Sequence, residues 1–168
     1  MERGQEYQNI FVENIKAYQN SMFRLAKSIV RNDTDAEDAV ASATLKAFEK
    51  IHSLRSWESF KPWIMTIAAN ESYTILRQKK RIELTEHMEA FDGPVAMEEV
   101  GELWSVVMKL PEDYRAVIVL FYYDDMGILQ IAKILNLSVG TVKSRLSRGR
   151  KKLRVLVEQE GGFVNEPI

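Results

Sequence analysis

The chain contains no cysteine. That excludes disulfides, thiol nucleophiles and every cysteine-bearing metal site. Histidine is nearly as scarce: His52 and His87 are the only two, far apart in sequence, so neither a zinc centre nor a histidine-based catalytic site is expected. No metal, no cofactor and no enzymatic activity are anticipated. Nowhere do the apolar residues approach the run of about 18 that a membrane-spanning helix needs. The first ten residues, MERGQEYQNI, are polar with an early acid, unlike a secretory signal, so the expected location is cytoplasmic, without membrane insertion. Alternating strand patterns are missing too. What remains is a chain of 168 residues with 46% hydrophobic content, enough for one ordinary domain or two small ones.

Net charge is also small, −1, but the charges are strongly sorted along the chain. Residues 77–81, RQKKR, hold four cations in five positions. Between Ile82 and Asp113 stand nine acids and a single cation, Lys109. From Met126 to Val157 there is no acid at all, and residues 137–154 carry seven Lys or Arg. Solvated surfaces usually mix their signs, so two basic regions flanking an acidic one point to polyanion-binding ends.

Apolar residues recur at helical spacing through most of the chain. A long first helix takes in Tyr7, Ile10, Phe11, Ile15, Tyr18, Met22, Leu25 and Ile29. Thr34 and Glu37 have capping-box spacing, which predicts a second helix from about Asp35, burying Ala36, Ala39, Val40, Ala43, Ala47, Phe48 and Ile51. Residues 52–60 read as a loop, and Pro62 suits the first turn of a third helix that ends in RQKKR. The acidic stretch 84–99 contains Asp92, Gly93 and Pro94 and reads as a linker. A fourth helix is expected over about 96–109 and a fifth from Pro111, followed by two short helices and a frayed tail. The expected fold is therefore all-α: two small helical domains joined by an acidic linker, with boundaries at 1–83, 84–99, 100–157 and a tail at 158–168.

The last two helices fit a helix-turn-helix. Ile128, Ile131, Ala132 and Leu135 give the first its inner face. Asn136 can adopt the left-handed turn conformation, and Ser138 is a natural N-cap for the next helix. There Val142, Leu146, Gly149 and Leu153 form the core stripe. The outer positions are small, hydroxyl or cationic, as a helix entering the major groove requires. Lys143, Ser144, Ser147 and Arg148 are the candidates for base edges and nearby phosphates. Arg150, Lys151, Lys152 and Arg154 suit the DNA backbone or the helix C-terminus. In the first half, Trp57, Phe60, Lys61, Trp63, Tyr73 and Arg77 interleave aromatics with cations, a composition suited to a single strand with stacked or flipped bases. Trp63 is equally well placed for the core. Asp33, Asp35, Glu37 and Asp38 suit both a helix N-terminus and a partner surface.

Three segments, DAEDAVASATLKAFEKI, SFKPWIMTIAANESYTILRQKKR and LPEDYRAVIVLFYYDDMGILQIAKILNLSVGTVKSRLSRGRKKLR, resemble bacterial sigma factors of the extracytoplasmic-function (ECF) family, in the family's order and over about residues 7–156. The resemblance implies a two-domain promoter-specificity subunit of RNA polymerase. It places Asp35, Asp38, Leu45 and Phe48 against the β′ clamp coiled coil of the core enzyme. Lys61, Trp63, Asn70, Arg77, Lys79, Lys80 and Arg81 fall to the −10 element. Thr141, Lys143, Ser144, Arg145, Ser147, Arg148 and Lys151 fall to the −35 element, on a domain that also meets the β flap. Many members of this family are held by an anti-sigma factor, and a tethered two-domain chain permits that. Ala41, Ser42 and Thr44 depart from the family's usual residues after DAEDAV, and its usual Tyr-x-Glu-Ile-Ala becomes Ile128-Leu129-Gln130-Ile131-Ala132 here. A stand-alone repressor or activator using only the helix-turn-helix is the alternative reading.

Overall fold

The helical spacing carries through to seven α-helices among the described residues, 2–86 and 101–161 of this computed structural model, and no strand occurs among them. They are α1 (Glu2–Val30), α2 (Asp33–Lys50), α3 (Phe60–Glu86), α4 (Glu102–Val107), α5 (Glu112–Tyr122), α6 (Ile128–Leu135) and α7 (Val139–Gln159). The chain divides into two compact units, Met1–Phe91 and Asp92–Ile168. α3 extends to Glu86, so the first three residues of the stretch expected as linker are helical, and 87–99 lie outside the described residues. Glu158 and Gln159, expected in the tail, complete α7, and residues 162–168 likewise lie outside.

In the first unit α1, α2 and α3 pack against one another. The buried face of α2 consists of Ala36, Ala39, Ala43 and Ala47. Such small side chains let neighbouring helices approach closely, and the larger residues of α1 and α3, including Met22, Leu25, Ile64 and Met65, fill the core. Phe48 was expected on this buried face but is 51% exposed. The alanine stripe occupies one side of the helix, and 100° per residue carries Phe48 to the other.

The α1–α2 turn also differs from expectation. α2 starts at Asp33, capped by Asn32, whose side chain accepts from the Asp35 amide at 3.0 Å, rather than by Thr34. The preceding Arg31 is left-handed at φ 60°, which a residue with a Cβ adopts only at some cost. Lys27, buried beneath the turn, offsets that cost: its ammonium donates to the Arg31 carbonyl at 3.2 Å and lies 3.1 Å from an Asp33 carboxylate oxygen. Asn32→Ala is expected to lower stability by about 1 kcal/mol, read as a lower urea midpoint with unchanged slope.

Phe60, at the start of α3, is fully buried, and its ring meets Phe11, Tyr18, Trp57 and Trp63 at centroid distances of 5.6–6.1 Å. This hub anchors the irregular segment 51–59 and fixes where Trp57 and Trp63 sit.

The second unit is built on α5, where Ala116 to Leu120 are all buried. Its helix-turn-helix follows the sequence reading in turn, cap and core stripe, although α7, expected to be short, runs for 21 residues. Asn136 is left-handed (φ 53°, ψ 50°), the Leu137 amide donates to the Ala132 carbonyl at 2.9 Å, and Ser138 Oγ accepts from the Thr141 amide at 3.1 Å. Val142, Leu146, Gly149 and Leu153 are buried, with Val157 extending the stripe. Gly149 allows the α5–α7 approach, since a Cβ there would stand 3.2 Å from Ile118 Cγ1 and 3.3 Å from Tyr114 Cβ.

Candidate nucleic-acid interface

Each unit presents surfaces that its core packing leaves outward. On α7, Lys143, Ser144, Ser147, Arg148 and Lys151 are exposed, opposite or flanking the buried stripe. Thr141 is half-buried, with its hydroxyl 2.8 Å from that of Ser138. Arg145 is half-buried as well, turned toward α5, with Nη2 3.8 Å from an Asp113 carboxylate oxygen. The start of α7 and the start of α5 together enclose an open concavity of about 510 Å³, lined among others by Ser138, Gly140, Thr141, Ser144 and Arg148. Gly140 leaves its floor clear, with nothing within 4 Å of where a Cβ would stand.

The basic run is not uniform. Arg150 donates from Nε to the Tyr122 hydroxyl at 2.6 Å and lies over the Phe121 and Tyr122 rings at 5.2 and 5.7 Å. Lys152 stands 5.9 Å from the Tyr114 ring. These two cations brace α7 against α5 by cation–π attraction, while Lys151 between them projects outward.

On α3 the expected DNA residues separate into groups. Trp63, Asn70, Arg77 and Arg81 recur at seven, seven and four residues, which places them along one side of the helix, away from the buried Ile64, Ala68 and Ser72. Trp63 is half-buried against Phe60, whereas Asn70, Arg77, Lys80 and Arg81 are exposed. Arg77 donates to Thr74 Oγ1 at 3.2 Å, which keeps its side chain along the helix surface. Lys61, in the first turn, stands 5.8 Å from the Tyr18 ring. Lys79 falls on the opposite side from Trp63 and pairs with Asp35 of α2 at 3.0 Å. It is thus not brought together with the other cations of RQKKR.

On α2, Asp38, Ala41, Leu45 and Phe48 form an outward stripe opposite the alanines. Leu45 is 61% exposed. Two large apolar residues facing water beside an exposed carboxylate make a surface suited to a protein partner. Asp35 lies at its edge, half-buried and engaged with Lys79. Sequence reading did not single out Asp113 or Tyr114. They reach the α7 concavity only through the α5–α7 packing, which has no local signature. Among the described residues there is no group of His, Asp or Glu able to hold a metal ion, and no helix is long and apolar enough to cross a membrane.

A helix-turn-helix with a cationic and hydroxyl-rich outer face, joined in one chain to a three-helix unit with its own basic stripe, is the architecture of a DNA-recognition protein. Comparison with known proteins narrows the class. The Sigma-70 region 2 family matches residues 15–82, and the Sigma-70, region 4 family matches residues 101–153. The ECF RNA polymerase sigma factor SigW of Bacillus subtilis is 31% identical over 165 residues, spanning 88% of each chain. The RNA polymerase sigma factor SigV of the same organism is 29% identical, over 95% of this chain and 98% of its own. The sigma factor RpoE of Bartonella quintana, solved in complex with the anti-sigma factor NepR, superposes with a TM-score of 0.75 at 25% identity, over 88% of this chain and 96% of its own. The chain belongs to the ECF RNA polymerase sigma factor family, as the resemblance implied, and is a promoter-recognising sigma factor.

Proposed function

We propose that the three outward stripes divide the work of promoter recognition. The α2 stripe of Asp38, Leu45 and Phe48, with Asp35 at its edge, docks core RNA polymerase through the β′ clamp coiled coil. The α3 stripe of Trp63, Asn70, Arg77 and Arg81, with Lys80 beside it and Lys61 at the helix start on the Tyr18 side, holds the opened −10 element, stacking bases on the aromatic and drawing phosphates to the cations. The α7 face of Lys143, Ser144, Ser147 and Arg148 reads the −35 element, with Thr141 and Lys151 nearby, on a unit that also meets the β flap. The domain division 1–83, 84–99, 100–157 and 158–168 belongs to the same reading, with α3 and α7 running three and two residues past its limits. The protein acts without catalysis of its own, in the cytoplasm. By analogy with the Bartonella protein solved with NepR, an anti-sigma factor is the expected regulator.

The observation that carries this assignment is the outward Leu45 and Phe48 on a helix whose buried face is alanine alone. A stand-alone regulator that uses only the helix-turn-helix does not require this surface on the first unit. Core polymerase supplemented with the protein is expected to start transcripts at promoters of its own genome, and failure at every promoter would overturn the reading. Within such a promoter, Arg148→Ala should cost about 1–3 kcal/mol against the preferred −35 sequence and relax discrimination there. Lys151→Ala should weaken binding evenly across sequences. Equal loss of discrimination from both would show that the helix face is set wrongly.

A further inference from the structure

Asp113 lies in the first turn of α5, outside the helix-turn-helix, yet it lines the same concavity as Ser144, Arg145 and Arg148. Its carboxylate is 72% exposed and stands 3.8 Å from Nη2 of Arg145, whose side chain is 28% exposed. That separation is ion-pair distance rather than a hydrogen bond, so the pair constrains where the guanidinium sits without locking it. Arg145 follows Ser144 by one residue, which turns it about 100° around α7 toward α5.

We propose that Asp113 tunes DNA binding by holding Arg145 away from the DNA backbone, which limits sequence-independent affinity. This inference rests on α7 being the DNA-facing helix, and it removes Arg145 from the −35 contacts that the family resemblance gave it, because its side chain turns to Asp113. An unrestrained arginine at the rim of a groove-facing surface takes the nearest phosphate, and each such contact adds affinity that carries no sequence information. Asp113 opposes this in two ways. It offers Arg145 a carboxylate already within the fold, and its own exposed charge repels approaching phosphates. With one phosphate contact suppressed, a larger share of the affinity rests on Lys143, Ser144, Ser147 and Arg148. Because the pair is long and partly solvated, its effect is several-fold rather than many orders of magnitude.

The test is fluorescence anisotropy of the full chain on a mixed-sequence DNA duplex over a series of salt concentrations. Asp113→Asn is expected to tighten binding several-fold at low salt and to steepen the slope of log K against log salt by about one, the signature of one added phosphate contact. Arg145→Ala placed in the Asp113→Asn background should remove that steepening, while Arg145→Ala alone should change the slope little. The proposal is overturned if Asp113→Asn leaves the slope unchanged, or if Arg145→Ala alone flattens it as much as in the Asp113→Asn background. A lowered unfolding midpoint with an unaltered slope would assign Asp113 a purely structural role. Lys151→Ala separates the two levels of failure. If it leaves the slope unchanged, the reading of α7 as the DNA face fails and the inference with it. If Lys151→Ala flattens the slope and Asp113→Asn does nothing, only the inference fails.

Discussion

Asp38→Arg and Phe48→Ala are each expected to reduce capture of core RNA polymerase by this protein more than tenfold. Both residues lie on the outward α2 stripe, where Phe48 is 51% exposed beside Leu45. Aromatic anchors that become fully desolvated on binding cost about 2 kcal/mol or more when truncated, which corresponds to a factor of roughly thirty. A reversed charge in a complementary interface adds repulsion to the loss of attraction. The folded unit itself should tolerate both changes. Asp38 is exposed, and Phe48, about half exposed, gives up partial burial that includes an edge-on contact with Phe11 at 5.7 Å worth about 1 kcal/mol. Affinity capture with purified core enzyme checks the expectation, with thermal unfolding as the control. Retained capture by both variants, with wild-type unfolding, would remove α2 from the polymerase interface.

Gly149→Leu should have the largest effect on stability. The glycine sits where α7 crosses α5, and any Cβ would meet Ile118 and Tyr114 at 3.2–3.3 Å. Ile118 is 1% exposed, so it can yield only by displacing other core side chains. Gly149→Ala therefore sets a gain of about 1 kcal/mol in helix propensity against a tight contact, and the two roughly cancel. Leucine adds three more carbons and forces the helices apart, at about 3 kcal/mol or more. For a unit of this size that corresponds to a fall of roughly 10–20 °C in unfolding temperature. Trp104 is the one tryptophan of Asp92–Ile168 and is 4% exposed, so its fluorescence reports that unit's unfolding. Separation of the helices would also displace the α7 face, so DNA binding should fall with stability.

Where periodicity decides, the sequence was a good guide. The buried stripe of α7, the Asn136 turn and the Ser138 cap all follow from spacing and from the conformational preferences of single residues. Where two segments compete for the same role, local reading went astray. Asn32, Thr34 and Asp35 are all capping residue types, and Asn32 takes the role in a turn that also holds the left-handed Arg31 and the buried Lys27. Phe48 was expected inside because large apolar residues usually are, but close packing of three helices favoured the alanines. The pairing of Lys79 with Asp35, 44 residues apart, was beyond any pattern argument, and so was the meeting of Arg145 with Asp113. RQKKR looks like one cluster in the sequence. Helical geometry splits it, because adjacent positions point 100° apart.

The Asp35–Lys79 bridge has a consequence for genetics. It ties a residue at the edge of the outward α2 stripe, proposed to meet polymerase, to one drawn from the basic run of α3. An allele at either position alters both neighbourhoods, so a screen that scores defects one residue at a time will credit Asp35 with part of Lys79's phenotype, and the reverse. The exchanged pair Asp35→Lys with Lys79→Asp restores the bridge while inverting the charge each partner presents. A defect that survives the exchange belongs to the outside partner, and one that disappears belongs to the fold. Over evolutionary time the same logic predicts correlated substitution, with the two positions changing sign together more often than either changes alone.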